Sequence, residues 1–151
     1  MVPGINLWLL AWFVMEIGIT GTRSGMTDKQ KEELKALLLL HYLTYFSEPH
    51  MLSFHHGDCI GVDVEAATIA QEYGFWTVCH PPIKTELRAY HKSDETVVAK
   101  SYFARNRDIV NASDEMIVVP FQMEHQNNGG TWYTHDYAVQ KNKPITILWP
   151  K

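Results

Sequence analysis

From residue 15 onward, short apolar runs alternate with segments of helical spacing, and this alternation constrains the fold more than any other feature of the chain. EIGITG (16–21) is a strand-like run that ends in glycine. The next segment, Thr27 to Phe46, sets Leu34, Leu37, Leu38 and Tyr45 at helical spacing behind Thr27, a favourable helix cap. MLSFHHG (51–57) gives a second strand, VDVEAATIAQEYG (62–74) an amphipathic helix stopped by Gly74, and FWTVCHPP (75–82) a third strand broken by paired prolines. Residues 83–100 are charged and weakly patterned, which predicts a mobile loop with room for a turn of helix, of a length that often serves as a lid. SYFARNRDIVNAS reads as a helix and EMIVVP (115–120) as the most strongly β-branched strand. PITILWP is a fifth strand, after a helix that begins near Thr131.

About five short strands separated by helices call for a mainly parallel sheet covered on both faces. Right-handed crossovers reduce the choices to an α/β, doubly wound, Rossmann-like domain with the first strand central. The 151 residues, 46% of them hydrophobic, suffice for one such domain, placed at 15–151. Residues 1–14, MVPGINLWLLAWFV, are set apart as an optional or mis-assigned apolar extension. Their apolar run is about half of the roughly 20 residues a membrane span requires, and it lacks a basic flank or cleavage site. The reading is therefore of a cytoplasmic protein without a membrane segment, in keeping with two cysteines, Cys59 and Cys79, that lack secretory spacing. A formal net charge of −4 argues against general affinity for nucleic-acid phosphates.

In a doubly wound sheet, ligands bind beyond the carboxyl ends of the strands. Those ends carry GTRSGMT after the first strand, HHGDCIGVD after the second, HPP after the third, and Phe121 through NNGGT after the fourth. Glycine and small hydroxyl or carboxylate side chains recur there, the chemistry of a backbone cradle for phosphate or ribose at helix N-termini. GTRSG has neither the lysine nor the spacing of a P-loop, and it is not GxGxxG. The candidate ligand-binding residues are Gly21, Thr22, Arg23 and Ser24, then Gly57, Asp58, Gly61 and Asp63, then Arg105, and finally Gly129, Gly130, Thr131 and Thr134. Asp63 also suits a plain helix-bracing role, and Arg105 and Arg107 suit surface ion pairs with Asp108 and Asp114. Trp132 and Tyr133 suit either base stacking or core packing.

The elements ITGTRS, HGDCIGVDVEAATIA, ARNRDIVNASDEMIVVP and GGTWYTHDYAVQKNKPI, in that order from Met15 to Pro150, resemble the SLOG superfamily. That superfamily includes the DNA-processing protein DprA, the cytokinin-activating LOG enzymes and small relatives of the YpsA and YspA type. The resemblance implies a Rossmann-like domain that binds nucleotides, nucleotide-derived signals or single-stranded nucleic acid at the strand ends. LOG-type members hydrolyse the N-glycosidic bond of a nucleoside monophosphate with an arginine before the fourth strand and a glutamate in PGGxGTxxE. Arg105 matches that arginine. Thr134 stands at the glutamate position, and Asn128 precedes Gly129 where the proline would be.

Loss of a nucleobase builds positive charge on the ribose, which a carboxylate stabilises and threonine does not. Binding of a nucleotide or nucleotide-derived ligand, as a sensor or sequestering protein, is therefore the expectation. The alternative enzyme is a nucleotide N-glycosidase with Arg105 and Asp58 or Asp63 as catalytic candidates, and a further alternative is DprA-like binding of single-stranded DNA. No cofactor is expected. His55, His56, Asp58, Cys59, Cys79 and His80 invite a metal reading, which is set aside because alternation sends His55 and His56 to opposite sheet faces. A homo-oligomer is expected, with the helical face Leu34 to Leu43 as its candidate surface.

Overall fold

The computed structural model describes residues 14–45 and 52–151, so the expectations for residues 1–13 lie outside it. The chain runs β1 (Met15–Gly21), α1 (Asp28–Thr44), β2 (Leu52–His56), α2 (Val62–Glu72), β3 (Trp76–Cys79), β4 (Glu95–Thr96), α3 (Tyr102–Ala112), β5 (Glu115–Val119), α4 (Gly130–Gln140) and β6 (Ile145–Ile147). These strands form one sheet in the order β4-β3-β2-β1-β5-β6, parallel throughout. It is a Rossmann-like α/β domain with β1 inside the sheet.

Apolar periodicity builds the first layer. Ile17, Ile19, Leu52 and Phe54 present alternate residues to α1 and α2, where Leu34, Leu38, Val62 and Ala66 complete a fully buried cluster. On the other face Ile109 and Val110 of α3 and Ala138 of α4 pack on Met116. Close approach of α3 depends on Gly18, where a Cβ would lie 3.1 Å from Ile109 Cγ2.

A capping box sets the start of α1. Thr27 Oγ1 accepts the Gln30 N–H at 3.2 Å while Thr27 N–H donates to Gln30 Oε1 at 3.0 Å. The buried Gln30 amide then donates to the carbonyls of Pro120 and Leu148 at 2.9 and 2.8 Å. One side chain thus ties α1 to the ends of β5 and β6.

Among the described residues the sheet has six strands rather than five, and the extra one lies in the segment expected to be a mobile loop. β4 is two residues long, and the segment also bridges Cys59 to Arg88 and Pro82 to Lys100. Several of its charged side chains are engaged by the rest of the chain. Asp94 accepts from Thr77 N–H and Oγ1 at 2.9 and 3.0 Å, and Arg88 Nε donates to buried Asp58 at 2.7 Å.

After β1 the chain builds outward through β2, β3 and β4, then returns past β1 to add β5 and β6 on the other side. The change of direction falls between β1 and β5. Such a switch point opens a crevice at the carboxyl ends of the two strands.

Candidate functional site

The crevice is a cleft of about 780 Å³ lined by segments that follow β1, β2 and β5 and by the starts of α3 and α4. That volume lies within the range of small-molecule sites.

Beyond β1 the backbone is stitched in place. Thr22 N–H donates to Val119 O at 3.1 Å, and its carbonyl accepts the Val62 N–H at 3.1 Å. Gly21 and Gly61 serve this packing. A Cβ on Gly21 would fall 2.8 Å from Val62 Cγ2, and one on Gly61, whose φ is 87°, would fall 2.7 Å from Arg23 Cα. The two turns therefore touch backbone to backbone, and Thr22 and Arg23 are left lining the cleft. Ser24 is exposed outside the lining and donates its N–H to Thr22 Oγ1 at 3.2 Å.

At the cleft floor Asp63 and Arg105 are both buried. Arg105 Nη1 donates to the carbonyls of Gly57 and His80, the latter at 3.2 Å, and Nε donates to Asn106 Oδ1 at 2.7 Å. The guanidinium fastens the ends of β2 and β3 together. Its Nη2 faces Cys59 Sγ, a weak acceptor, at 3.7 Å. Asp63 accepts the Cys59 N–H at 3.3 Å. Burial pushes its carboxyl up to about 6 against the opposing pull of Arg105. Gly57 makes room for both: a Cβ there would lie 2.8 Å from Arg105 Cζ and 2.9 Å from Asp63 Oδ2.

Across the cleft, α4 begins at Gly129 with φ 91° and no side-chain cap. A Cβ on Gly129 would meet nothing within 4 Å, so this glycine answers a backbone conformation and not a neighbour. The N–H groups of Gly130, Thr131 and Trp132 fall in the first turn, which has no intrahelical acceptors for them. Trp132 is buried and donates Nε1–H to Gln122 Oε1 at 3.1 Å. Tyr102 and the exposed rings of Phe103 and Phe121 complete an aromatic wall.

Of the residues singled out from sequence, Gly21, Thr22, Arg23, Asp63, Arg105, Gly129, Gly130 and Thr131 line the cleft, while Ser24, Gly57, Asp58, Gly61 and Thr134 do not. Asp58, at φ 59°, is fully buried beside the 88–91 segment, where Arg88 Nε and the His91 N–H engage its two oxygens at 2.7 and 2.8 Å. Thr134 is buried and spends its hydroxyl on Gly130 O at 2.8 Å. Asp63 is thereby the sole carboxylate among the described lining residues. Arg107 leaves the site altogether, its Nη1 donating to Tyr133 Oη at 2.8 Å. Sequence reasoning passed over Lys84, in the segment before α3, and Tyr102 and Phe103, in the first turn of α3, none of which directly follows a strand; only their place in the folded chain reveals them.

The histidines divide as alternation requires. His55 reaches the Glu16 carboxylate through Nε2 and His80 Nε2 through Nδ1, the latter at 2.9 Å. His56 lies on the other face near Asp58 and Cys79, where burial drives its pKa down to about 3 and that of the Cys79 thiol up to about 12.

No protein-family model matches the sequence, and no curated protein matches it. Solved structures do resemble the fold. A molybdenum cofactor binding protein from the phototrophic bacterium Rippkaea orientalis superposes with a TM-score of 0.66 at 22% identity, over 91% of this chain and 78% of that one. DNA processing protein A from Helicobacter pylori, described with single-stranded DNA, gives 0.64 at 19% identity, over 94% of this chain and 68% of that one. The molybdenum cofactor carrier protein of Chlamydomonas reinhardtii gives 0.58 at 21%, over 89% and 76%. The shared architecture is a Rossmann-like α/β fold. Among the described residues no helix is long and apolar enough to cross a membrane.

Proposed function

We propose that this SLOG-type domain binds a nucleotide or nucleotide-derived ligand at the β1/β5 switch point, with its phosphate at the N-terminus of α4 and its ring system on the aromatic wall. One observation carries the reading: a single cleft combines an uncapped helix N-terminus behind two glycines with Tyr102, Phe103 and Phe121. Free main-chain N–H groups and the helix dipole favour an anion there. Exposed Arg23 and Lys84 add local positive charge in a chain of formal net charge −4. The aromatic rings favour a planar heterocycle. The molybdenum cofactor named for two of the structural neighbours supports a small-molecule role.

The test is to incubate the protein with a mixed pool of nucleoside mono-, di- and cyclic phosphates, NAD derivatives and pterin phosphates, and to identify what is retained by mass spectrometry. Intact ligand is expected. Arg23→Ala should weaken its binding about ten-fold or more, the range of a lost hydrogen bond to a charged group. Arg23 is the better probe than Arg105, because removing Arg105 would unfasten β2 and β3. Failure to retain any member of the pool would overturn the reading.

Asp63 favours a second reading, an N-glycosidase acting on a nucleoside phosphate. It is a cleft carboxylate whose raised pKa suits proton transfer near neutral pH. Free base and ribose phosphate should then accumulate with time, and Asp63→Asn should abolish their release. Activity that persists in Asp63→Asn excludes this mechanism.

A further inference from the structure

Outside the cleft lining, two neighbouring segments bring ligating side chains to one point. His125, from the stretch between β5 and α4, and His135 and Asp136, from the second turn of α4, place their ligating atoms within 4.8 Å of one another. His125 Nε2 and His135 Nδ1 both meet Asp136 Oδ1, at 2.7 and 2.8 Å. We propose that these three side chains form a binding site for a first-row divalent transition metal ion, of the zinc class.

The donor set is two imidazoles and one carboxylate with solvent on the open side, a combination that takes zinc and its neighbours in preference to calcium or magnesium. Ligands bound at about 2 Å stand roughly 3 to 3.5 Å apart around such an ion, so small rotations of three surface side chains suffice to admit it. In the metal-free chain each imidazole donates a proton to the same carboxylate oxygen; on metal binding each proton leaves the ligating nitrogen for the other ring nitrogen or for solvent, and the ion takes its place. Among the described residues, Asp136 makes ion pairs with these two histidines and with no lysine or arginine.

A comparison inside the molecule sharpens the assignment. The buried trio His56, Asp58 and Cys79 is also close enough to hold an ion. There Arg88 already occupies Asp58 at 2.7 Å, and both nitrogens of His56 are engaged, with the Asp58 N–H at 3.1 Å and Ser93 Oγ at 2.7 Å. A cation and a closed set of hydrogen bonds fill that place. The surface trio has no such competitor.

Its position gives it a structural effect. The Trp132 ring lies 4.9 Å from the His125 ring and 5.3 Å from the His135 ring, while the same indole lines the cleft. An ion clamped by His125 and α4 would fasten the 121–129 stretch, which carries Phe121 and Gln122 at the cleft rim.

The experiment is calorimetric titration of zinc into full-length protein that carries no polyhistidine tag and has been stripped with a chelator. One saturable site per chain is expected. His125→Ala, His135→Ala and Asp136→Asn should each weaken it at least about ten-fold, with circular dichroism unchanged because His125 and Asp136 are exposed and His135 is only half-buried, and Cys79→Ser should retain it. Binding left intact by the His125→Ala, His135→Ala double variant overturns the assignment, as does the lack of a saturable zinc site in the wild type. Neither result depends on the ligand of the cleft.

Discussion

At the scale of single residues, Gly61 carries the strictest backbone demand at the cleft. Its positive φ disfavours any side chain, and a Cβ would press into the Arg23 backbone. Gly61→Ala should therefore lower stability by about 2 kcal/mol or more in chemical denaturation, whereas Gly129→Ala, with open space around it, should cost only the strain of its φ. Asp63 makes a prediction in pH. Its folded pKa, about 6, exceeds the ordinary carboxylate value, so between about pH 4 and 6 the folded state keeps a proton that the unfolded state has released. Stability from this group thus falls as pH rises through that window and stays reduced above it. Asp63→Asn removes the titration, and its stability relative to wild type should improve by roughly 2 kcal/mol between pH 4 and pH 7.5. A difference that does not vary with pH would show that Arg105 already neutralises the burial cost. Glycine positions were legible in the sequence as special. Which of them serve packing and which face open space was not, because that depends on what the fold brings alongside.

At the scale of elements, periodicity located the four helices and five of the six strands, since each buries an apolar stripe or an alternating face that sequence spacing displays. β4 escaped because two residues have no period. It exists through partners distant in sequence, chiefly Asp94 on Thr77. Asp94→Ala removes two hydrogen bonds from a part-buried contact and should cost about 1–3 kcal/mol. Amide hydrogen exchange would read the effect as lost protection across residues 92–97, while β1 and β5 keep theirs. Unchanged exchange there would mean that the strand pairing alone holds the segment. Asp58 illustrates the opposite limit: its place after β2 made it a natural site candidate, yet its left-handed backbone and Arg88 turn it towards the 88–91 segment.

For the whole molecule, the doubly wound sheet follows from the strand-helix alternation, and the switch point follows from the sheet order. The surface offered for self-association is smaller than the sequence suggested. Leu34 and Leu38 belong to the core, and Leu39, Leu40 and Leu43 remain exposed at 48, 60 and 61%. We predict a homo-oligomer through this trio, so light scattering should report at least a dimer, and Leu40→Lys with Leu43→Lys should return a monomer of normal circular dichroism. A wild-type monomer would contradict this. Ligand binding at the cleft can be followed residue by residue through amide chemical-shift mapping by nuclear magnetic resonance. On titration with the nucleotide retained from the mixed pool, saturable shifts should be largest at Gly130, Thr131 and Trp132, together with Thr22 and Arg23. Shifts centred away from the start of α4, or none that saturate, would contradict binding at the cleft.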